Sequence, residues 1–262
     1  MKTIYLFTLF FLFILQPNEN IIKNKKSIKV IYKAILKDKN FKEKESFKKA
    51  PLIVQKTFLD SYKKNQQIIE NINFTLIANG KSYSLTYREP LNVGDDFYSN
   101  NVSSSVSGVF DAKSIYTNFD DNNSILGAFD QGDKIDREVS LDDLEWKLIN
   151  ETKEILGYKC YKAIGNLKSD NLAHAPFYPI MVWYTPIINI KAGPTPFATL
   201  PGLILSLESP FAIVHAISIK FGNFVVKKRK SKNKLMKYYE YKKYIDAWRE
   251  KNRPKPKSYY KE

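Results

Sequence analysis

Apolar and polar positions along this chain alternate mostly with a period of two, in short runs separated by turn residues, which predicts a β-rich fold. Ser27 to Lys37 (SIKVIYKAILK) alternates well enough to form a first strand. Phe74 to Ala78 and Ser82 to Tyr87 flank Asn79-Gly80, a hairpin signal because both residues accept positive φ at the centre of a tight turn. Lys134–Val139, Trp146–Asn150, Tyr158–Asn166, Tyr178–Tyr184, Leu203–Leu207 and Phe211–Val226 read as further strands, with Ile155-Leu156-Gly157-Tyr158 as a tight reversal. In the last of these, Ile213, His215, Ile217, Ile219 and Phe221 fall on one face.

Helical spacing is confined to two places. Pro51 suits the first turn of a helix, where a missing N–H costs nothing. From there Leu52, Phe58, Leu59, Tyr62 and Ile69 make a stripe of roughly helical period, after a charged, helix-permissive Phe41–Lys49. Near the C-terminus, Lys234 to Lys251 predicts a basic helix carrying Leu235, Tyr238, Tyr239, Tyr241, Tyr244, Ile245 and Trp248, ended by Pro254 and Pro256. The Asn-, Asp- and Ser-rich run from Glu89 to about Asn123, including VSSSVS at 102–107, predicts a long loop or weak edge strands. The expected fold is mainly β (β-rich α+β), a curved antiparallel sheet or half-barrel over residues 18–226, with a helix at about 51–69 and a basic helical extension at 227–262.

Phe197 to Leu207 (FATLPGLILSL) contains the most specific local signal. In Leu200-Pro201-Gly202-Leu203-Ile204, proline pre-sets φ near −65° and glycine supplies a positive φ, so a type II turn is expected, with a strand leaving at Leu203. Between Ile187 and this turn the chain is a Pro- and Gly-rich crossing. Phe177, Tyr178, Trp183, Tyr184 and Phe197 bracket it, and Trp183, Tyr184, Tyr178 and Phe197 are candidates for an aromatic ligand face on a concave sheet.

Charge and leader sequence alter the picture in two ways. Net charge is +15, concentrated from Lys227 onward, where fifteen Lys and Arg face four acidic residues. No zinc knuckle or helix-turn-helix accompanies that charge, so nucleic acid is not the expected partner. Lys2 followed by the apolar run Ile4–Leu15 reads as a signal peptide over residues 1–17, too short for a stable span, and predicts export to the periplasm or cell envelope. No later stretch reaches transmembrane length, and a single cysteine, Cys160, excludes an internal disulfide.

Chemistry-bearing patterns are sparse. His174 lies in a loop and His215 on a strand face; neither belongs to a Gly-x-Ser-x-Gly elbow, and Cys160 sits within a strand as a small hydrophobe. Asp120–Asn123 and Asp130-x-x-Asp133-x-x-Asp136 offer oxygen atoms without EF-hand spacing, and the ten glycines form no phosphate loop. No catalytic, metal or cofactor residue is therefore assigned. Paired carboxylates for glycosidic chemistry carry no sequence signature of their own.

Taken in order, Trp146-Lys147-Leu148, Glu151-Thr152-Lys153, Gly157-Tyr158-Lys159-Cys160, Trp183-Tyr184-Thr185-Pro186, Gly193-Pro194 and Leu200-Pro201-Gly202-Leu203-Ile204 resemble the GLPGLI family of exported Bacteroidetes proteins. Thr199 stands where the name-giving motif begins with glycine. The resemblance implies export and association with outer-membrane uptake, but no catalytic residues. Trp146 with Gly157-Tyr158-x-Cys160 also resembles a strand-turn-strand of half-barrel lipoprotein carriers. The expectation is a non-enzymatic envelope protein that binds a hydrophobic or extended ligand or an outer-membrane partner. An envelope hydrolase using dispersed carboxylates or His174, and a structural accessory of an uptake receptor, are the alternatives.

Overall fold

The computed structural model describes residues 27–37, 45–88, 102, 105–128, 134–169, 177–228 and 233–252. The apolar leader, His174, Asp130, Asp133, Pro254 and Pro256 lie outside the described residues.

Period-two alternation becomes one twelve-stranded sheet. In chain order the strands are β1 (Ser27–Leu36), β2 (Phe74–Asn79), β3 (Ser82–Tyr87), β4 (Ile115–Asn118), β5 (Asn123–Leu126), β6 (Ile135–Ser140), β7 (Leu144–Ile155), β8 (Tyr158–Leu167), β9 (Ile180–Thr185), β10 (Leu203–Glu208), β11 (Ala212–Gly222) and β12 (Lys234–Lys237). Their order across the sheet is β12-β6-β5-β4-β3-β2-β1-β11-β10-β9-β8-β7. All pairings are antiparallel except β12 with β6. β1 therefore sits mid-sheet, joining the two halves of the chain through β2 and β11. Helices α1 (Glu45–Lys48), α2 (Leu52–Asn71) and α3 (Tyr238–Asn252) accompany the sheet, besides a helical segment at 105–110. Pro51 stands at the N-cap of α2, just ahead of the first turn in which the sequence places it. Past Tyr32, where pairing with β2 ends, α2 covers the edge of β1: the Leu36 N–H donates to Gln66 Oε1 and the Leu36 carbonyl accepts from the Tyr62 hydroxyl.

Alternate residues of the central strands face one core. Ile28, Val30 and Tyr32 of β1, Phe74, Leu76 and Ala78 of β2, and Tyr83 and Leu85 of β3 are buried. Directly over this face runs the crossing from β9 to β10. Its Ile188, Ala192, Phe197, Ala198 and Leu200 are buried in turn, so the sheet is plugged by its own chain. Buried carbonyls of irregular backbone need donors, and core-face side chains supply them. Tyr32 Oη donates to the carbonyl of Ile204 at 2.6 Å, Tyr83 Oη to that of Thr195, and Ser124 Oγ to that of Pro196 at 2.5 Å. Fully burying a side chain the size of Phe197 contributes about 1.5–3 kcal/mol.

Several local expectations are corrected. Asn79 and Gly80 do not adopt positive φ; Asn79 ends β2 and its Oδ1 accepts from the backbone N–H groups of Lys81 and Ser82, so a side-chain cap replaces the expected turn. Leu156 and Gly157 do adopt positive φ (52° and 78°), which suits the two-residue reversal between β7 and β8. Gly202 takes a positive φ of 149° as expected. The turn itself is tighter, because the Gly202 N–H bonds the Leu200 carbonyl at 2.8 Å around Pro201. In β11 the apparent single face is split. Ile31 pairs with Ser218 and Tyr32 with Ala216, leaving Ile217 as an extra, exposed residue. Ala212, Val214 and Ala216 then face the core before the bulge, whereas Ile219 and Phe221 pack against it afterwards. His215 is half-buried beside Lys33, out of phase with the core positions.

The stretch before Asn123 is more ordered than its composition suggests, with helical residues 105–110 followed by β4. Phe110 from that helical segment packs edge-on against Phe74 at 4.9 Å between ring centroids. Likewise Lys234–Lys237 forms β12 rather than the start of the terminal helix, because β6 offers a free edge. Behind that contact lies Arg137, which is 4 % exposed. Its Nη1 meets Asp111 Oδ2 at 2.7 Å, and its guanidinium lies 5.4 and 5.2 Å from the ring centres of Tyr238 and Tyr241. Tyr238 Oη also donates to Asp111 Oδ2, so one carboxylate anchors both β6 and α3.

Candidate functional site

The face of the sheet opposite the plug carries the more capacious concavity. Strand pairing sets side chains across it in rows: Lys29, Ile77, Ser84 and Tyr116 stand opposite one another on β1 to β4, and Ile31, Thr75 and Thr86 form the next row. Such residues alternate with the buried set in sequence and so point away from the core. Asn71 at the end of α2, Asn73 from the α2–β2 link, Arg88 beyond β3, and Lys227 and Lys228 from the arm after β11 complete the walls. The groove holds about 770 Å³, within the range of ligand sites.

Its chemistry is asymmetric. Four lining residues, Lys29, Arg88, Lys227 and Lys228, are cationic and none is acidic. No carboxylate pairs with any of the four among the described residues. Lys220 on β11 stands directly across from Lys29 and adds to the same field. Hydroxyls of Ser84, Thr75 and Thr86 and amides of Asn71 and Asn73 supply donors and acceptors among Ile31, Ile77 and Ile115. This arrangement can engage a polar, hydroxyl-rich chain. With no acid in its lining, it has no group for the acid–base pair of glycosidic hydrolysis.

A second cavity lies on the core side, lined by Phe110, Asp111, Tyr178, Thr195, Pro196 and Ser209 among others. At about 30 Å³ it can hold one or two waters. Asp111 is its only carboxylate and is already bound to Arg137. Burial holds the Tyr178 phenol well above its usual range, so it stays protonated. This is structural rather than catalytic chemistry.

The residues singled out from the sequence are dispersed. Phe197 is wholly buried in the plug and meets the Tyr178 ring edge-on at 5.8 Å. Tyr184 is 7 % exposed and packs beside Tyr161, while its neighbour Trp183 points to the opposite face of β9, with Lys153 Nζ 4.3 Å from its ring centre. The four aromatics thus share no open face. Leu200, Leu203 and Ile204 are buried around the turn, and Pro201 is exposed at its tip. Cys160 is buried, and burial pushes its thiol up to about 11. Asp120 and Asp121 lie in the β4–β5 turn. Asp136 is buried and accepts from the Ala128 N–H and Asn233 Nδ2. Among the described residues, no group of His, Cys, Asp and Glu could hold a metal ion, and no helix is long and apolar enough to cross a membrane. Sequence reasoning missed the groove. Its one legible trace was the basic run beginning at Lys227.

The profile of the family described as "N-glycanase peptide, N-terminal domain" matches residues 116–246, half of the 262-residue chain, from β4 into α3. Among curated proteins none matches this sequence. Two solved structures of PNGF-II, in P21 and C2 space groups, are each 18% identical, with TM-scores of 0.48 and 0.47; they cover 86% and 83% of this chain. This chain spans about a third of the length of PNGF-II, 34% and 32% of the two chains. A putative outer membrane lipoprotein-sorting protein domain from Vibrio parahaemolyticus is 7% identical, with a TM-score of 0.30 over 79% of this chain and 90% of that one.

The family match overturns the resemblance to GLPGLI proteins. The residues behind that resemblance have local structural duties. Gly157 makes a hairpin reversal, Trp146 anchors the plug, and Pro201-Gly202 turns the chain into β10. Any plugged antiparallel sheet has use for such devices, so they do not discriminate between families. The expectation of a non-enzymatic binding or interaction protein falls with it.

Proposed function

Because the chain belongs to the family of the N-glycanase peptide N-terminal domain, we propose that it serves in the enzymatic processing of N-glycans, engaging the glycan-bearing substrate in the groove on the outer face of β1–β4. The observation that carries this reading is the match over residues 116–246, which includes Tyr116, Lys227 and Lys228 of the groove. Hydroxyl and amide side chains between isoleucines suit sugar rings, whose faces are apolar and whose rims are polar. As the chain spans about a third of PNGF-II, hydrolysis as an activity of the whole protein is part of the proposal. Export, predicted from Ile4–Leu15, belongs to it as well, since N-linked glycans are borne by secreted proteins.

The test uses the full chain with an N-glycosylated glycopeptide and the same peptide without its glycan. Glycan release is read by mass spectrometry and binding by calorimetry. Preferential binding of the glycosylated form, or release of its glycan, is the expected result. Equal behaviour toward both peptides removes the reading.

A further inference from the structure

We infer that the outer groove selects acidic N-glycans, those bearing carboxylate or sulfate groups, over neutral ones; this rests on the N-glycan reading above and adds the substrate class. Charge on the walls is the first reason. Lys29, Arg88, Lys227 and Lys228 approach one concavity from three separate segments: β1, the end of β3, and two successive positions of the arm after β11. Like charges brought together without a carboxylate repel one another, and an anion in their midst relieves that repulsion. Elsewhere in the molecule some cations are matched, as Lys37 is by Glu208, Lys162 by Glu151 and Lys242 by Asp246. What sets this site apart is that its cations share one concavity whose lining holds no acidic residue.

The floor supplies the second reason. A polyanion of the nucleic-acid kind is held by stacking bases on exposed aromatic rings. Here the lining tyrosines are Tyr116, 9 % exposed with Ser84 and Ile77 as row neighbours, and Tyr87, half-buried with its ring packed against Phe74. Thr75, Thr86, Ser84, Asn71 and Asn73 present short hydroxyl and amide groups to the space, at a scale fitted to sugar hydroxyls. Charge at the rim with hydrogen-bonding groups at the floor describes an oligosaccharide whose acidic residues reach the walls. Lys227 and Lys228 are exposed and lie in no regular element, so they can follow the position of that charge.

The experiment compares a disialylated N-glycan, the same glycan after enzymatic desialylation, and a single-stranded oligonucleotide, each titrated against the full chain at low and high salt. The acidic glycan is expected to bind about tenfold or more tightly than the neutral one at low salt, with the advantage shrinking as the Debye length falls. The double substitution Lys227→Glu and Lys228→Glu, at exposed positions, is expected to abolish that preference while leaving the melting curve unchanged. Equal binding of both glycans overturns this inference and leaves the N-glycan reading standing; binding of neither overturns both. Oligonucleotide binding as tight as that of the acidic glycan also overturns it, as does a preference that survives the double substitution.

Discussion

The indole N–H of Trp146 lies 3.0 Å from the Thr199 hydroxyl and donates also toward the Phe197 carbonyl at 3.2 Å. One side chain on β7 thereby holds two points of the plug, more than fifty residues away in sequence. The ring reaches them by lying across β8 at Gly165, where an added Cβ would come within 2.9 Å of it. Trp146→Phe keeps most of the ring and loses both bonds, with an expected destabilisation of about 1–2 kcal/mol. Thr199→Val removes one partner and is expected to cost about half as much. Urea midpoints by circular dichroism check both, and an unshifted midpoint for Trp146→Phe shows that the bridge contributes nothing.

Gly202→Ala meets two obstacles. Alanine resists a φ of 149°, and its Cβ would sit 2.2 Å from the backbone oxygen of Thr185. Neither atom belongs to a flexible side-chain end, so β9 and the turn must separate. The expected loss is about 2 kcal/mol or more, beyond what positive φ alone would cost. Thermal melts report it, and a wild-type Tm shows that the turn relaxes freely.

Arg137→Met leaves Asp111 without its cation and the Tyr238 hydroxyl with an altered partner. Burial opposes the charge of Arg137, yet Asp111 beside it holds the guanidinium above its ordinary range, so the pair stays ionised. Breaking a buried pair by removing one member typically costs about 3–5 kcal/mol. The partial exposure of Asp111, 26 % at its side chain, places the expectation at the lower end. Hydrogen exchange is expected to show α3 losing protection before the β1–β2 core does. Uniform loss of protection would mean that Arg137 supports the whole sheet instead.

Cys160 links stability to alkaline pH. Its thiol is raised from 9.0 to about 11, chiefly by burial, so the folded chain disfavours the thiolate. Below pH 9 both folded and unfolded thiols are protonated and the contribution is complete. As pH rises from there toward 11, the unfolded chain loses the proton first and stability falls, by about 2–3 kcal/mol in total. Cys160→Ala is expected to flatten that part of the profile without removing the share due to buried tyrosines. Denaturant midpoints at intervals between pH 8 and 11 measure it; identical slopes in both proteins would show that the thiol is already accessible to solvent.

Most strand positions (β4, β5 and β12 excepted), the helix after Pro51 and the Leu156-Gly157 reversal were legible in the sequence, because each depends on residues within a few positions of one another. Period-two burial needs only the pleat, and a two-residue turn needs only its own φ angles. Where a local signal had a local competitor, the reading slipped. Asn79 spent its side chain on the Lys81 and Ser82 N–H groups and so did not enter the turn backbone. The even spacing of Ile213 to Phe221 hid the extra residue Ile217, because alternation looks unbroken until a partner strand reveals the skipped pairing.

The candidate site was almost illegible for the same reason at longer range. Aromatics near the crossing suggested an open ligand face, but the crossing itself fills that side, and only packing reveals which segment covers which face. Lys29, Arg88 and Lys227 are separated by scores of residues, and nothing along the chain indicates that they share a groove. By itself the sequence determined a β-rich chain with its turns, its helix at Pro51 and its excess of positive charge, all consequences of near-neighbour chemistry. Tertiary structure decided that Phe197 plugs the sheet, that Arg137 binds α3 to it, and that unpaired cations gather opposite the plug, because strand register alone brings distant side chains face to face.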